Sequence, residues 1–126
     1  MKKISKKLLT SISIALIISV FLISQFAFAV SRTTVIVFCT EWNAKCRAAV
    51  PAIESLINAY DGRVDIQQFN IDLNTTPERA RAMGINIPSK IPHIVVLDKS
   101  GRIIFEQDYT SQTPAQLKQA LDSIAR

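Results

Sequence analysis

The sequence predicts one α/β domain with the element order β-α-β-α-β-β-α, in which a four-stranded mixed sheet is flanked by helices and preceded by an N-terminal hydrophobic leader helix. Two observations predict this minimal fold. Short apolar runs alternate with stretches whose apolar residues recur at helical spacing, which is the pattern of βαβ units. A hairpin turn at residues 98–101, Asp-Lys-Ser-Gly, then adds an antiparallel strand. A chain of 126 residues suffices for one such domain.

The first half of the domain is predicted to be a βαβ unit. The continuous apolar run from Val35 to Cys39 is typical of a central strand that is buried on both faces. A helix from Ala44 to Tyr60 follows, because its apolar residues share one face, and Asp61-Gly62 ends it. Val64 to Asn70 is the second strand.

The second half is predicted to hold a short helix, a β-hairpin and a last helix. Thr75 or Thr76 caps the short helix, which runs to about Met83. The last helix begins at Thr113, with Pro114 at its first position. The two hairpin strands are His93 to Leu97 and Ile103 to Gln107.

The basic charge of the chain is concentrated in an N-terminal leader. Four lysines between residues 2 and 7 contribute +4 to the formal net charge of +5. From Val30 onward the chain is therefore nearly neutral. Because no basic face is left to meet phosphates, we expect no nucleic-acid partner.

An uncharged apolar stretch at residues 8–30 completes the leader. Ala27-Phe28-Ala29 has the small-x-small form of a signal-peptidase site, which divides the chain into a leader at 1–29 and a domain at 30–126. We favour a cleaved signal peptide; the alternative is an uncleaved anchor that associates with the membrane through residues 8–30. Both interpretations predict export of the domain to the periplasm, a lumen or the cell envelope.

In the segment from Thr34 to Pro51, TVIVFCTEWNAKCRAAVP, a predicted strand is followed by a predicted helix, and Cys46 lies in the first turn of that helix. The first turn of a helix has unpaired backbone N–H groups and the positive end of the dipole, and both favour a thiolate. The thiolate is the reactive form of cysteine, so Cys46 is the first candidate catalytic residue. The alternative is an inert thiol, since free cysteine is among the most buried residue types.

This segment resembles the active-site segment of thioredoxin-like proteins, F-W-A-E-W-C-G-P-C-K. Phe38, Glu41, Trp42 and Cys46 match it without gaps. Asn43 stands where the family has the first, nucleophilic cysteine of its C-x-x-C motif. An amide cannot attack a disulfide, so the resemblance implies a degenerate site, Asn-Ala-Lys-Cys, that keeps a single cysteine.

Further matches extend the resemblance to the C-terminus and imply the thioredoxin fold. Ile91-Pro92-His93 resembles the family's I-P-T, whose proline is cis. In the family this loop pairs with substrate backbone beside the cysteines. The resemblance therefore implies a shallow peptide-binding groove formed by Trp42, Asn43, Ile91 and Pro92, with a protein or peptide thiol as the partner.

Two residues that assist proton transfer in the family are replaced as well. There, a buried aspartate and a lysine help to deprotonate the retained cysteine, and this chain has Val37 and Gln68 at the matching positions. Loss of these groups together with the nucleophile argues against a single accidental substitution.

Cys39 is the second candidate, as a redox or disulfide partner of Cys46. Two cysteines in an exported domain are more often oxidised than not, and a bridge requires Cα atoms within about 7 Å. An internal bridge, two free thiols and intermolecular pairing all stay open. His93, the only histidine, is interpreted as a plain strand residue, and we expect neither a metal site nor a cofactor.

The sequence thus predicts an exported thioredoxin-like protein that binds protein thiols or peptides with at most limited thiol–disulfide chemistry. One alternative is a non-catalytic binding or chaperone-like module. Another is a thiol–disulfide oxidoreductase that uses the Cys39/Cys46 pair. The residues alone leave open whether the protein is an enzyme.

Overall fold

The computed structural model describes residues 32–124. The leader predicted at residues 1–29 lies outside them, as does the predicted start of the domain at residue 30. Within residues 32–124, no helix combines the length and the apolar character needed to cross a bilayer. The elements in chain order are β1 Thr33–Cys39, α1 Ala44–Asn58, β2 Val64–Asn70, α2 Thr76–Ala82, β3 His93–Leu97, β4 Ile103–Asp108 and α3 Thr113–Ile124.

The strands form one sheet in the order β2-β1-β3-β4. β1 is parallel to β2, with Val35 opposite Ile66, and antiparallel to β3, with Phe38 opposite His93. β4 pairs antiparallel with β3 at the far edge. Because β1 and β3 run in opposite directions, the end of β1 and the start of β3 meet at one end of the sheet.

Side chains of β1 enter two separate cores, because successive residues of a strand point to opposite faces. The thiol face is packed by α1 and α3, and its buried residues include Val35, Val37, Cys39, Cys46, Ile53, Tyr60, Leu117 and Leu121. The α2 face is packed by α2 and its flanking residues, and its buried residues are Ile36, Phe38, Phe69, Ala80, Ile85, Val95 and Leu97.

The predicted fold class is confirmed in element order and in the mixed sheet. The largest differences lie at element ends. β1 begins at Thr33, two residues earlier than predicted, and α1 ends at Asn58, two residues short of Tyr60. Tyr60 instead follows the helix, and its hydroxyl donates to the Asp122 carboxylate in α3 at 2.6 Å.

The start of α2 also differs from the expected side-chain cap. Thr75 occupies the N-cap position, but its side chain makes no capping hydrogen bond. The neighbouring Thr76 is buried, and its hydroxyl donates to the carbonyl of Asn70 at the end of β2. This bond ties the helix to the sheet.

Candidate functional site

Asn43 is the N-cap of α1, and its side chain begins the helix. Its Oδ1 accepts a hydrogen bond from the backbone N–H of Cys46 at 3.0 Å. The backbone oxygen of Asn43 accepts from the N–H of Arg47 at 3.1 Å, the first bond of the helical ladder. The carboxamide thus satisfies one of the unpaired first-turn donors of the helix.

Cys39 and Cys46 are brought together at the thiol face. Cys39 is the last residue of β1 and is 6% exposed, while Cys46 lies in the first turn of α1 and is 2% exposed. The structure has both as free thiols, and their side chains are within hydrogen-bonding reach of each other. The four-residue turn between β1 and α1 thus brings the two sulfurs together.

The surroundings of Cys39 favour its protonated form. Burial raises the pKa of the Cys39 thiol well above its usual range, and the hydrogen bond and charge of the adjacent Cys46 add to the rise. A hydrogen bond with the Thr40 backbone acts in the opposite direction. Cys39 is therefore a neutral thiol at physiological pH.

The residues that replace the family's proton-transfer pair bring no acid or base to these sulfurs. Val37 is fully buried within the thiol face. The amide of Gln68 donates to the Glu54 carboxylate on α1 at 2.9 Å. Val37 is thus an apolar core residue, and Gln68 links β2 to α1 through a side-chain hydrogen bond.

Trp42 is the most exposed large hydrophobic side chain of the site, at 67%. Its indole N–H donates to the Asp72 carboxylate at 2.8 Å, in the turn after β2. Arg47 also holds this loop, since its Nη1 donates to the backbone oxygens of Glu41 and Trp42 at 3.2 and 3.3 Å. The ring is therefore presented to solvent on a loop that is fastened at two points.

The loop before β3 lies at the same end of the sheet as the cysteines. The Ile91–Pro92 peptide bond is cis. Phe38 of β1 pairs with His93 of β3. The next residues along these two antiparallel strands are Cys39 and Pro92, which therefore lie at matching positions just beyond the last pair. Pro92 is buried and its carbonyl accepts from the N–H of Tyr109 at 2.9 Å, while Ile91 is half-buried.

His93 is engaged on the β4 side of the sheet. Its Nδ1 lies 2.7 Å from a carboxylate oxygen of Asp108, and its Nε2 lies 3.5 Å from one of Glu106. Its ring also lies 6.3 Å from that of Phe38. Within residues 32–124, no three or more His, Cys, Asp or Glu side chains are grouped so that they could hold a metal ion.

A cavity of about 460 Å³ opens beside the two thiols, between α1 and the ends of β1 and β2. Its lining includes Cys39, Thr40, Cys46, Arg47, Val50 and Phe69. Trp42, Ile91 and Pro92 do not line it, so the cavity and the groove expected from the resemblance are different places. Sequence reasoning missed Thr40, although a polar residue directly after a buried strand is a weak signal of such a site.

The comparisons with known proteins agree with this architecture. A family model described as Thioredoxin matches residues 20–123. Among solved structures, the chain is similar to thioredoxin O2 from Arabidopsis thaliana in its oxidized state, with 21% identity and a TM-score of 0.59 over 82% of this chain and 89% of that one. No curated protein matches the chain. The predicted thioredoxin-like resemblance is thereby confirmed.

Proposed function

The chain belongs to the thioredoxin family, and we propose that it is an exported member that binds protein or peptide thiols and has at most limited thiol–disulfide chemistry. Export is supported by the basic, then apolar leader with its small-x-small site. The binding role is supported by the geometry around Asn43, Trp42 and the Ile91–Pro92 loop.

The observation that carries the proposal is the hydrogen bond from the Cys46 N–H to Asn43 Oδ1. A carboxamide oxygen occupies the helix start, where the family places its attacking sulfur. An amide oxygen is not a nucleophile toward a disulfide. The first step of the usual dithiol cycle, attack on the substrate disulfide, therefore cannot occur at this position. The thiol of Cys46 is left, and its burial limits its reaction with a protein surface.

Trp42 supplies the binding surface. An exposed indole offers a large, rigid contact area, and tryptophan is enriched among residues that dominate binding energy. The bond to Asp72 holds the ring in place before a partner arrives, which lowers the entropic cost of binding. The backbone of Ile91, in the loop before β3 at the same end of the sheet, would provide hydrogen-bonding groups for an extended peptide.

A second candidate function is a thiol–disulfide oxidoreductase that uses Cys39 and Cys46. The contact between the two buried thiols favours it, because an internal disulfide needs sulfurs that already lie close together. Its weakness is the neutral state of Cys39, which slows attack by that sulfur.

The test compares insulin reduction and thiol state in three forms of the full-length chain. We expect no turnover by the wild type, a gain of activity in Asn43→Cys, and none in Asn43→Ser, which keeps a capping oxygen without adding sulfur. Turnover by the wild type at ordinary thioredoxin rates would overturn the proposal. Reversible loss of two hydrogen atoms on mild oxidation, measured by intact mass, would favour the second candidate.

Binding is tested separately, by the fluorescence of the only tryptophan. Titration with a cysteine-containing peptide is expected to change Trp42 emission and to saturate. Trp42→Ala, followed by calorimetry, is expected to weaken binding by about tenfold or more. Lys99→Ala, on the hairpin, is the control. Equal affinity in both variants would contradict the role of Trp42.

A further inference from the structure

Cys39 and Cys46 form a pair of adjacent sulfur ligands that peptide binding at Trp42 does not use. Both are free thiols that are 6% and 2% exposed, and their side chains are within hydrogen-bonding reach of each other. The end of β1 and the first turn of α1 hold them, and both thiols belong to the packed core of the thiol face. Two sulfurs that the fold already brings together are a preformed site for a soft metal ion, because thiolate sulfur is a soft ligand.

The number of available ligands decides which metal ion fits. Structural zinc takes four ligands, and iron–sulfur clusters are held by four cysteines. Residues 32–124 contain no group of three or more His, Cys, Asp or Glu side chains that could hold a metal ion. His93 adds no nitrogen to the two sulfurs, since both of its ring nitrogens lie against carboxylate oxygens of Glu106 and Asp108. Copper(I) is the soft ion that two thiolates can complete, because its single positive charge is already outweighed by theirs.

The surroundings of the pair offer both access and compensating charge. The cavity of about 460 Å³ between α1 and the ends of β1 and β2 has both cysteines in its lining, so a small copper complex can reach the sulfurs from there. Two thiolates and one copper(I) ion together carry one negative charge. The positive end of the α1 dipole lies at Cys46, and the Arg47 guanidinium borders the same cavity. Both favour a negatively charged complex at this position.

We propose that Cys39 and Cys46 bind one copper(I) ion between their two sulfur atoms. On binding, each thiol releases its proton to solvent and forms one bond to the metal. A monovalent cation and two neutral thiols thus become an anionic bis-thiolate complex and two protons. Copper remains monovalent and no electron is transferred. Metal–sulfur bonds of about 2.3 Å, the length found in zinc thiolates, require the two sulfurs of a hydrogen-bonded pair to separate only slightly.

Copper binding goes beyond the proposed function and can fail separately from it. It uses the buried sulfurs, whereas peptide binding uses Trp42 on the exposed loop. A saturating peptide titration without copper uptake would overturn the copper site and leave the proposed function standing, and copper uptake without peptide binding would do the reverse. A bound ion also occupies both sulfurs, so the copper form cannot carry out the disulfide chemistry of the second candidate.

The experiment titrates the reduced full-length chain, without oxygen or free reductant, against the coloured complex of copper(I) with bicinchoninate. We expect the chain to withdraw one copper ion per molecule. Cys39→Ser and Cys46→Ser are each expected to leave the copper on the chelator, because either change removes one of the two ligands. Ser55→Ala, on the exposed side of α1, is the control and should behave as the wild type. Copper uptake by either cysteine variant at the level of the wild type would overturn the proposal.

Dependence on the fold is tested with the same chain in urea. The unfolded chain keeps both cysteines but no longer holds them side by side, so it should bind copper(I) more weakly than the folded chain. Copper(I) should therefore raise the urea midpoint of unfolding of the wild type, since a ligand that prefers the folded state stabilises it. It should not do so in the double variant Cys39→Ser/Cys46→Ser. An unchanged midpoint in the wild type would mean that the fold contributes nothing to the site, and would overturn the proposal.

Coordination is tested by X-ray absorption at the copper edge and by comparison with zinc. We expect two sulfur neighbours and no nitrogen or oxygen neighbour around the bound ion. Zinc(II), which needs four ligands, should raise the unfolding midpoint less than copper(I) at the same concentration. A third neighbour, or equal stabilisation by zinc, would show that further ligands take part and would overturn the two-sulfur assignment.

Two residues of opposite charge in the cavity lining separate electrostatic support from a disturbed loop. Arg47→Gln should weaken copper(I) binding and Glu41→Gln should strengthen it, each by up to about fivefold because both side chains are exposed. Arg81→Gln, on the exposed side of α2, should not change the affinity. A disturbed loop would instead weaken binding in both Arg47→Gln and Glu41→Gln, and that result would overturn the role of these charges.

Discussion

The thiol face and the α2 face of the sheet are built on the same strands and differ in what closes them. On the α2 face, Phe38 packs edge-on against Phe69 with ring centroids 5.4 Å apart, and Arg79 covers the Phe69 ring at 4.3 Å. On the thiol face, two sulfurs meet beside a cavity, and hydrogen bonds tie the helices together. Both faces thus carry a packed core, and on the thiol face this core also borders a cavity with two thiols in its lining.

The largest expected effect tests the packing of the α2 face. Phe38→Ala removes a fully buried ring, and we expect the free energy of unfolding to fall by about 3–5 kcal/mol. Denaturant unfolding monitored by circular dichroism measures it. Ile87→Ala, which truncates an exposed side chain, is the control and should change stability by less than about 0.5 kcal/mol. Similar losses in both variants would break the comparison.

A smaller effect is expected where the thiol face begins. Asn43→Ala removes the side-chain oxygen that accepts from Cys46, and we expect a loss of about 1 kcal/mol. Asn43→Asp keeps an acceptor at the N-cap and should lose much less. Chemical denaturation of the three proteins at one pH measures the difference. If the alanine and aspartate variants are equally destabilised, the cap is not what holds this helix start.

The smallest effect depends on pH and lies at the far end of the thiol face. Burial, followed by the hydrogen bond to Asp122 and its charge, raises the pKa of Tyr60 to about 12, and Arg63 partly opposes this. Because the unfolded tyrosine titrates near 10, the neutral phenol stabilises the fold fully below pH 10, and this contribution is lost as pH rises toward 12.

The difference in stability between the wild type and Tyr60→Phe should therefore depend on pH in a defined direction. At pH 8 the variant should be less stable by about 1 kcal/mol, the usual net value of one hydrogen bond. The gap to the wild type should shrink between pH 10 and 12, because only the wild type carries the titrating phenol. Denaturant midpoints across this range measure it. A gap that is constant to pH 12 would contradict the raised pKa.

The fold is largely predictable because its signals are local. The structure gives β2 and β3 the bounds predicted from the sequence, Val64–Asn70 and His93–Leu97. The exit of α1 is not predictable in this way. Tyr60 leaves the helix and bonds to Asp122, 62 residues later, and a partner at that distance leaves no trace in helical periodicity.

The site is predictable only in part, for a related reason. Two features of the site are predictable from the order of residues. Asn43 is the residue that departs from the motif, and Cys46 lies in the first turn of a helix. The cavity is not predictable in this way, since its volume depends on how far α1 stands from β2. The contact between Cys39 and Cys46 depends on the path of the turn that joins them, which residue types alone do not determine.

The Asn43 cap has a consequence for the proposed export of the domain from a reducing to an oxidising compartment. A sulfur at a helix start changes its charge and its bonds when it is oxidised, and the loop around it must adapt. The carboxamide of Asn43 is neither oxidised nor reduced under such conditions, so its bond to the Cys46 N–H does not itself depend on the redox poise. One of the contacts that fix the loop carrying Trp42 is therefore independent of redox state.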